Sequence, residues 1–184
     1  MRTYHVGGRL YFRPITEDDA YAVCEWRNTD IARQSFYNQE VVTPDTHMNF
    51  MWNRKDHDLI WIIQIEKGPI GMTSLTINPK DYTAEYGRAF IAPKFRGHGF
   101  GQEQEYMVLS IAFDFFNLKY LWGDVLVGND AARSLHHKTG WADVGINVEG
   151  HTHERGDVLH IEYPREIWPE HRQRFIEEFQ VTLT

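Results

Sequence analysis

Pro93-Lys94-Phe95-Arg96-Gly97-His98-Gly99-Phe100-Gly101 is the stretch that decides how this chain folds. It separates two segments of different period. Before it, residues 84–91 read as a strand. After it, residues 102–117 place Val108, Leu109, Ala112, Phe115 and Phe116 at helical spacing. A glycine-rich loop between a strand and a helix start has a definite chemistry. The first N–H groups of a helix lack partners within the helix. Together with the helix dipole they form a seat for an anion such as a phosphate. Glycine removes the Cβ, so a ligand can approach the main chain. No acid interrupts residues 94–101, and Lys94 and Arg96 add positive charge. Two other phosphate loops do not fit. A P-loop needs Gly-Lys followed by Ser or Thr, and the dinucleotide fingerprint spaces its glycines G-x-G-x-x-G, whereas Gly97, Gly99 and Gly101 follow G-x-G-x-G.

Working outward, residues 59–65 (Leu-Ile-Trp-Ile-Ile-Gln-Ile) form a short apolar, β-branched run typical of a central strand. Turns at Lys67-Gly68 and at Asn78-Pro79-Lys80-Asp81 connect it to strands at 70–77 and 84–91, an antiparallel meander. An earlier strand at 10–13 stops at Pro14. Thr16 then caps a helix that has Glu17, Asp18 and Asp19 in its first turn and Ala20, Val23, Cys24 and Trp26 on its apolar side. Another helix starts at Thr43-Pro44. Beyond the loop, the helix at 102–117 and a strand at 120–127 suggest a parallel crossover. A shorter helix at 129–139 closes at Gly140, strands follow at 144–148 and 157–163, and a last helix runs over 169–179. The expectation is one α+β domain over residues 1–184, with a mixed, mostly antiparallel sheet of about seven strands flanked by helices.

Charge and composition narrow the function. The chain has 184 residues and 26 acids against 19 Lys and Arg, a net charge of −7. That balance argues against broad nucleic-acid or anionic-membrane binding, which needs clustered cations. Cys24 is the single cysteine, so no internal disulfide can form. It sits on an apolar helix face and reads as buried and inert. No apolar run is long enough to cross a bilayer, and residues 1–8 lack the apolar stretch of a signal peptide, so a cytoplasmic location is expected. Ten histidines invite a metal, but His136 and His137 diverge on a helix, and His151 and His153 fall in a turn. No metal site is expected.

Arg96, Gly99 and Gly101 match the Q/R-x-x-G-x-G/A signature of the GCN5-related N-acetyltransferases (GNAT). Residues 129–141, Asn-Asp-Ala-Ala-Arg-Ser-Leu-His-His-Lys-Thr-Gly-Trp, resemble that family's N-x-x-A-x-x-L-Y-x-x-x-G-F motif. The resemblance spans residues 10–163 and implies a GNAT-type fold with acetyl-CoA as co-substrate. It implies that the pyrophosphate rests on the amides of Arg96, Gly97, His98, Gly99, Phe100 and Gly101. The pantetheine arm would pair with the strand ending at Ile91, in the gap where that strand splays from the next. Ala89 N–H would steady the thioester oxygen, and Asn129 would contact the donor near its thioester.

Acetyl transfer needs a neutral amine, and the departing thiolate benefits from a proton. Glu85, where several family members carry a glutamate, is the candidate base; its bland alternative is an ordinary strand glutamate. His136 replaces the family's tyrosine as candidate acid; its alternative is a packed or capping histidine. Three further features resemble the branch of ribosomal-protein and amino-sugar acetyltransferases. They are Glu25-Trp26-Arg27-Asn28, His47 with Trp52, and the tail 153–158 followed by 165–168. Trp26, Arg27, Asn28 and His47 are therefore the candidate acceptor-binding residues, with Trp26, Trp52 and Trp61 either stacking surfaces or core. Within that branch the acceptor would be the 4-amino group of a nucleotide-linked amino sugar. The alternatives are a protein N-terminal or other small amine and, in another class, a non-catalytic CoA-binding sensor. A homodimer is compatible with the sequence.

Overall fold

Ile60, Trp61, Ile62 and Ile63 are all fully buried, because their strand is covered on both faces. Alternation sends Ile60 and Ile62 into one apolar cluster and Trp61 and Ile63 into another. The computed structural model describes residues 2–154 and 156–181. Among these, the strands are β1 (Tyr11–Pro14), β2 (Asp58–Ile65), β3 (Gly68–Asn78), β4 (Thr83–Ile91), β5 (Tyr120–Leu126), β6 (Ala142–Ile146) and β7 (Val158–Pro164). They form one sheet in the order β1-β2-β3-β4-β5-β7-β6. Every neighbouring pair is antiparallel except β4 and β5. This is the expected α+β sheet with its parallel crossover.

The helices α1 (Ala20–Arg27), α2 (Asp30–Ser35) and α3 (Pro44–Trp52) belong to one face of the sheet. Val23, Trp26 and Ala32 pack there with Ile60, Ile62, Met72 and Phe90. On the opposite face α4 (Phe100–Ser110) and α6 (Trp168–Phe179) supply Tyr106, Met107, Leu109 and Phe175 to the larger cluster. The helix α5 (Asp130–Thr139) lies against α4, where a Cβ on Gly101 would stand 3.1 Å from Leu135.

Several boundaries differ from those read in the sequence. The segment after Thr16 begins as a 3₁₀ turn, Glu17–Asp19, before α1. The helix α2 was not foreseen: its six residues bury only Ala32, too little to set a period, and Thr29 caps it by accepting the Ala32 N–H at 3.3 Å. The long helix expected to reach Asn117 stays α-helical only to Ser110 and continues as a π-helix over Ile111–Phe115. Ile111, Ala112 and Phe113 of this wider turn are all buried, as are residues 103–110 of the α-helix before them. β6 ends before Asn147, which adopts a left-handed φ of 51° and bonds to Asp157 and to the main chain of Val158. In the tail, Arg155 lies outside the described residues, and Trp168 is a core residue whose indole N–H donates to Asp114.

Candidate active site

β4 and β5 pair over three rungs only: Thr83 with Tyr120, Ala84 with Leu121 and Glu85 with Trp122. Beyond them β5 stays bonded to β7 as far as Leu126, while β4 runs on beside β3 to Ile91. The two strands therefore splay, as the family resemblance implies. β4 also carries a bulge. Gly87 faces Ser74 and Phe90 faces Met72, so Arg88 and Ala89 together oppose Thr73. Arg88 takes a left-handed φ of 52° to make the bulge. One consequence is an exchange of faces: Tyr86 packs in the cluster with α4, whereas Phe90 packs in the cluster with α1 and α2. Uninterrupted alternation would keep both on one side.

The glycine loop closes one end of the splay. Gly99 caps α4 with φ 80°, a left-handed value that glycine adopts at little cost. Glu103, in the first turn of α4, would oppose an anion there. Its carboxylate is instead occupied by Arg9, whose main-chain N–H donates to Oε1 at 2.6 Å and whose Nε donates to Oε2 at 2.8 Å. Arg9 also donates to the His98 carbonyl at 3.0 Å, tying the loop to the N-terminal segment. Arg96 donates to the Ile91 carbonyl at 2.9 Å. A cavity of about 420 Å³ follows this side of the splay, lined by Ile91, Arg96, Gly97, Phe100, Gly101 and Leu135 among others. The start of α4 in its lining, the Gly99 cap beside it and the edge of β4 that β5 leaves suit an extended chain that ends in a pyrophosphate. Arg133 is committed elsewhere, 2.6 Å from Asp143.

His136 and Asn129 stand at the junction. Asn129 caps α5 by accepting the Ala132 N–H. His136 is buried, with its ring edge-on to Tyr86 and Nδ1 2.7 Å from Oε1 of buried Glu105, an approach too bent for a regular hydrogen bond. The other Glu105 oxygen accepts from the Thr139 hydroxyl. Glu105 escaped the sequence reading because it sits amid the apolar face of α4. A carboxylate one residue before the Tyr106-Met107-Val108-Leu109 run was the available signal.

A second cavity of about 300 Å³ opens on the other side of the junction. It is lined by Arg27, Tyr37, Glu85, Arg88 and Asp124, and it shares Ser35, Tyr86, Ala89, Asn129, Ala132 and His136 with the first. Burial pushes the Glu85 carboxyl up from the ordinary carboxylate range; Arg88 opposes the shift and Asp124 adds to it. The Tyr37 phenol is raised by burial and then by Asp124 and Glu85. Asp124 is itself held by two imidazoles, His160 Nδ1 at 2.8 Å and His151 Nδ1 at 3.0 Å. These three donor groups lie within 4.8 Å of one another, a spacing that could hold a cation. Two N–H groups donated to one carboxylate already account for the distances.

Of the four candidate acceptor residues, only Arg27 lines this cavity. Trp26 is buried among Val23, Ile60 and Ile62, the usual fate of a large apolar ring. Asn28 staples the chain to Val42 through both main-chain groups, each at 2.8 Å. His47 is buried beside Phe50, and burial lowers its pKa. Trp61 is core, and Trp52 is exposed with its N–H on Glu17. Cys24 is buried, which raises its thiol pKa, in keeping with an inert role. Tyr37, Arg88, Asp124 and His160 were not singled out from the sequence.

Known proteins share both sequence pattern and fold. The family model described as Acetyltransferase (GNAT) domain matches residues 9–142. No curated protein matches the sequence significantly. Among solved structures, spermidine N-acetyltransferase from Vibrio cholerae in complex with CoA and spermine superposes with a TM-score of 0.77 at 20% identity, covering 88% of this chain and 98% of that one. A GCN5-related N-acetyltransferase from Brucella melitensis gives a TM-score of 0.81 at 14% identity, covering 96% and 84%. Among the described residues no helix is long and apolar enough to cross a membrane. A family match over most of the chain, together with the splayed β4–β5 pair and the glycine loop at the start of α4, makes this chain a member of the GNAT family and an acetyl-CoA-dependent N-acetyltransferase.

Proposed function

We propose that the enzyme acetylates the primary amine of a small molecule held in the 300 Å³ cavity, by direct attack on the thioester. The observation that carries this proposal is the junction at which the two cavities share Ala89, Asn129 and His136. Acetyl-CoA supplies an activated acetyl group. The amides of residues 96–101 would cradle its pyrophosphate, with Asn129 near the thioester. Glu85, directly or through a water molecule, takes the proton that the ammonium must lose. A carboxyl lifted toward neutrality is a stronger base than an ordinary one. Ala89 lies in the bulge, outside the strand register, so its N–H suits an oxygen that gains negative charge. His136 gives a proton to the departing sulfur, and Glu105 behind it stabilises the charged imidazole.

For the acceptor we keep the nucleotide-linked 4-amino sugar, supported by the family-branch resemblance and by Arg27 in the cavity wall. A polyamine is a second candidate. It is favoured by Glu85 and Asp124 in the same wall, and the spermidine N-acetyltransferase of similar fold was solved with spermine. A protein N-terminal amine is a third. We read residues 1–184 as one domain, since the strands form a single sheet. The lone buried thiol is compatible with a cytoplasmic setting, and a homodimer is compatible with the fold.

Free-thiol release from acetyl-CoA, assayed with a UDP-linked 4-amino-4,6-dideoxy sugar, spermidine, an N-terminal peptide and no amine, tests the assignment. The amino sugar should raise release most. Tight CoA binding without amine-dependent release would instead make the protein a CoA sensor.

A further inference from the structure

Arg27 and Arg88 come from distant parts of the chain, the last residue of α1 and the bulge of β4, yet both line the acceptor cavity. Arg9, Arg13, Arg133, Arg172 and Arg174 each have a carboxylate partner. Among the described residues Arg27 and Arg88 have none. Among the described residues Arg27 donates to the Asn38 carbonyl at 3.4 Å and lies 3.7 Å over the Phe36 ring. Among them Arg88 donates to Ser74 Oγ at 3.1 Å and lies 5.3 Å from the centre of the Phe50 ring. A guanidinium has five N–H donors, so most of theirs are unspent. Burial and the neighbouring Arg88 charge both lower the pKa of Arg27. Two cations held close enough to repel, in the wall of one cavity and with no carboxylate within salt-bridge distance among the described residues, are stabilised by an anion between them.

The strand is distorted where it contributes its share. At φ 52° Arg88 has a backbone conformation that L-residues seldom adopt. A Cβ on Gly87 would stand 3.6 Å from Ser74 Oγ and 3.7 Å from Glu85 Oε1. The bare Gly87 therefore leaves open the space bordered by the Glu85 carboxylate and by the serine that receives Arg88. Glu85 feels the Arg88 charge, yet the two do not form an ion pair.

We propose that Arg27 and Arg88 together hold an anionic group of the acceptor, a carboxylate or a phosphate, while its amine lies against Glu85. This deepens the acceptor-site assignment above and rests on it. The substrate is then an amine that carries its own negative charge, and a free polyamine lacks the group the arginines would hold.

Matched probes test the proposal: 6-aminohexanoate against hexylamine, phosphoethanolamine against ethanolamine, and spermidine. In each pair kcat/KM for thiol release should favour the anionic member by about tenfold to a hundredfold, the range expected for charge-assisted hydrogen bonds. The stronger pair distinguishes carboxylate from phosphate. Arg27→Gln and Arg88→Gln should each erase most of the preference, and Arg88→Lys should retain part of it. A melting curve for each variant separates this loss from misfolding. Equal or better use of hexylamine, ethanolamine or spermidine would overturn the anion site and leave the acetyltransferase assignment intact. If none of these amines turns over, calorimetry of 6-aminohexanoate and phosphoethanolamine with the CoA-saturated protein decides. Binding lost in Arg27→Gln supports the site, and no binding rejects it.

Discussion

The two halves of the active site are made of different material. The donor half is largely main chain: the start of α4, the left-handed Gly99 and the edge of β4 left bare by the splay. The acceptor half is side chains gathered from four parts of the chain, namely Arg27, Tyr37, Glu85 with Arg88 of β4, and Asp124; His136 stands at the junction between the halves. A main-chain site depends on backbone conformation and tolerates most side-chain changes. A side-chain site depends on charge and on each residue's support. Mutations should therefore separate binding of the donor from chemistry at the acceptor.

The largest effect is expected at the acceptor half. Glu85→Gln keeps the shape but removes the proposed base, so kcat should fall about a hundredfold, the lower range for general-base catalysis. Acetyl-CoA affinity, measured by calorimetry, should stay within about twofold, because the amides proposed to hold the donor are untouched. The reverse pattern is expected at Gly99. Gly99→Val forces a β-branched residue into φ 80° at the α4 cap. Acetyl-CoA binding should weaken by about tenfold, a cost of the order of the left-handed strain, with kcat at saturating donor largely kept. Equal loss of both quantities in both variants would break the division between the halves.

The smallest effect concerns pH and has two opposite signs. In its proposed role as base Glu85 must be unprotonated, so activity should fall as pH drops through its raised pKa. Asp124 contributes to that rise and Arg88 opposes it. Asp124→Asn should therefore move the acidic limb of kcat/KM to lower pH, and Arg88→Gln should move it to higher pH. A shift in the same direction for both would separate Glu85 from the titrating group.

This difference in material also explains what could be read in the sequence. The donor half lies in two contiguous runs, 96–101 and 129–141, so its glycines, cap and helix start are visible in order. The order of strands was legible for the same reason, since each apolar run stands alone. The acceptor half required tertiary knowledge. Arg88 enters the cavity wall through a bulge defined by pairing with β3, which the period of one strand does not disclose. His160 meets Asp124 because β5 and β7 pair at that rung. Tyr37 lies in an irregular stretch without a pattern. Conversely, the tryptophans that suggested a stacking surface were needed by the core, where Trp26 and Trp61 fill opposite faces of the sheet. The net charge of −7 is resolved locally: Arg9 takes the charge of Glu103 at the loop, so an acidic protein can still present a site for a phosphate.

A crystal structure of the CoA complex tests the central claim most directly. The pyrophosphate should lie on the amides of residues 96–101, and the sulfur should reach the junction between Ala89 and His136, facing Glu85. CoA bound outside the β4–β5 splay, or a sulfur directed away from the cavity that Glu85 lines, would contradict it.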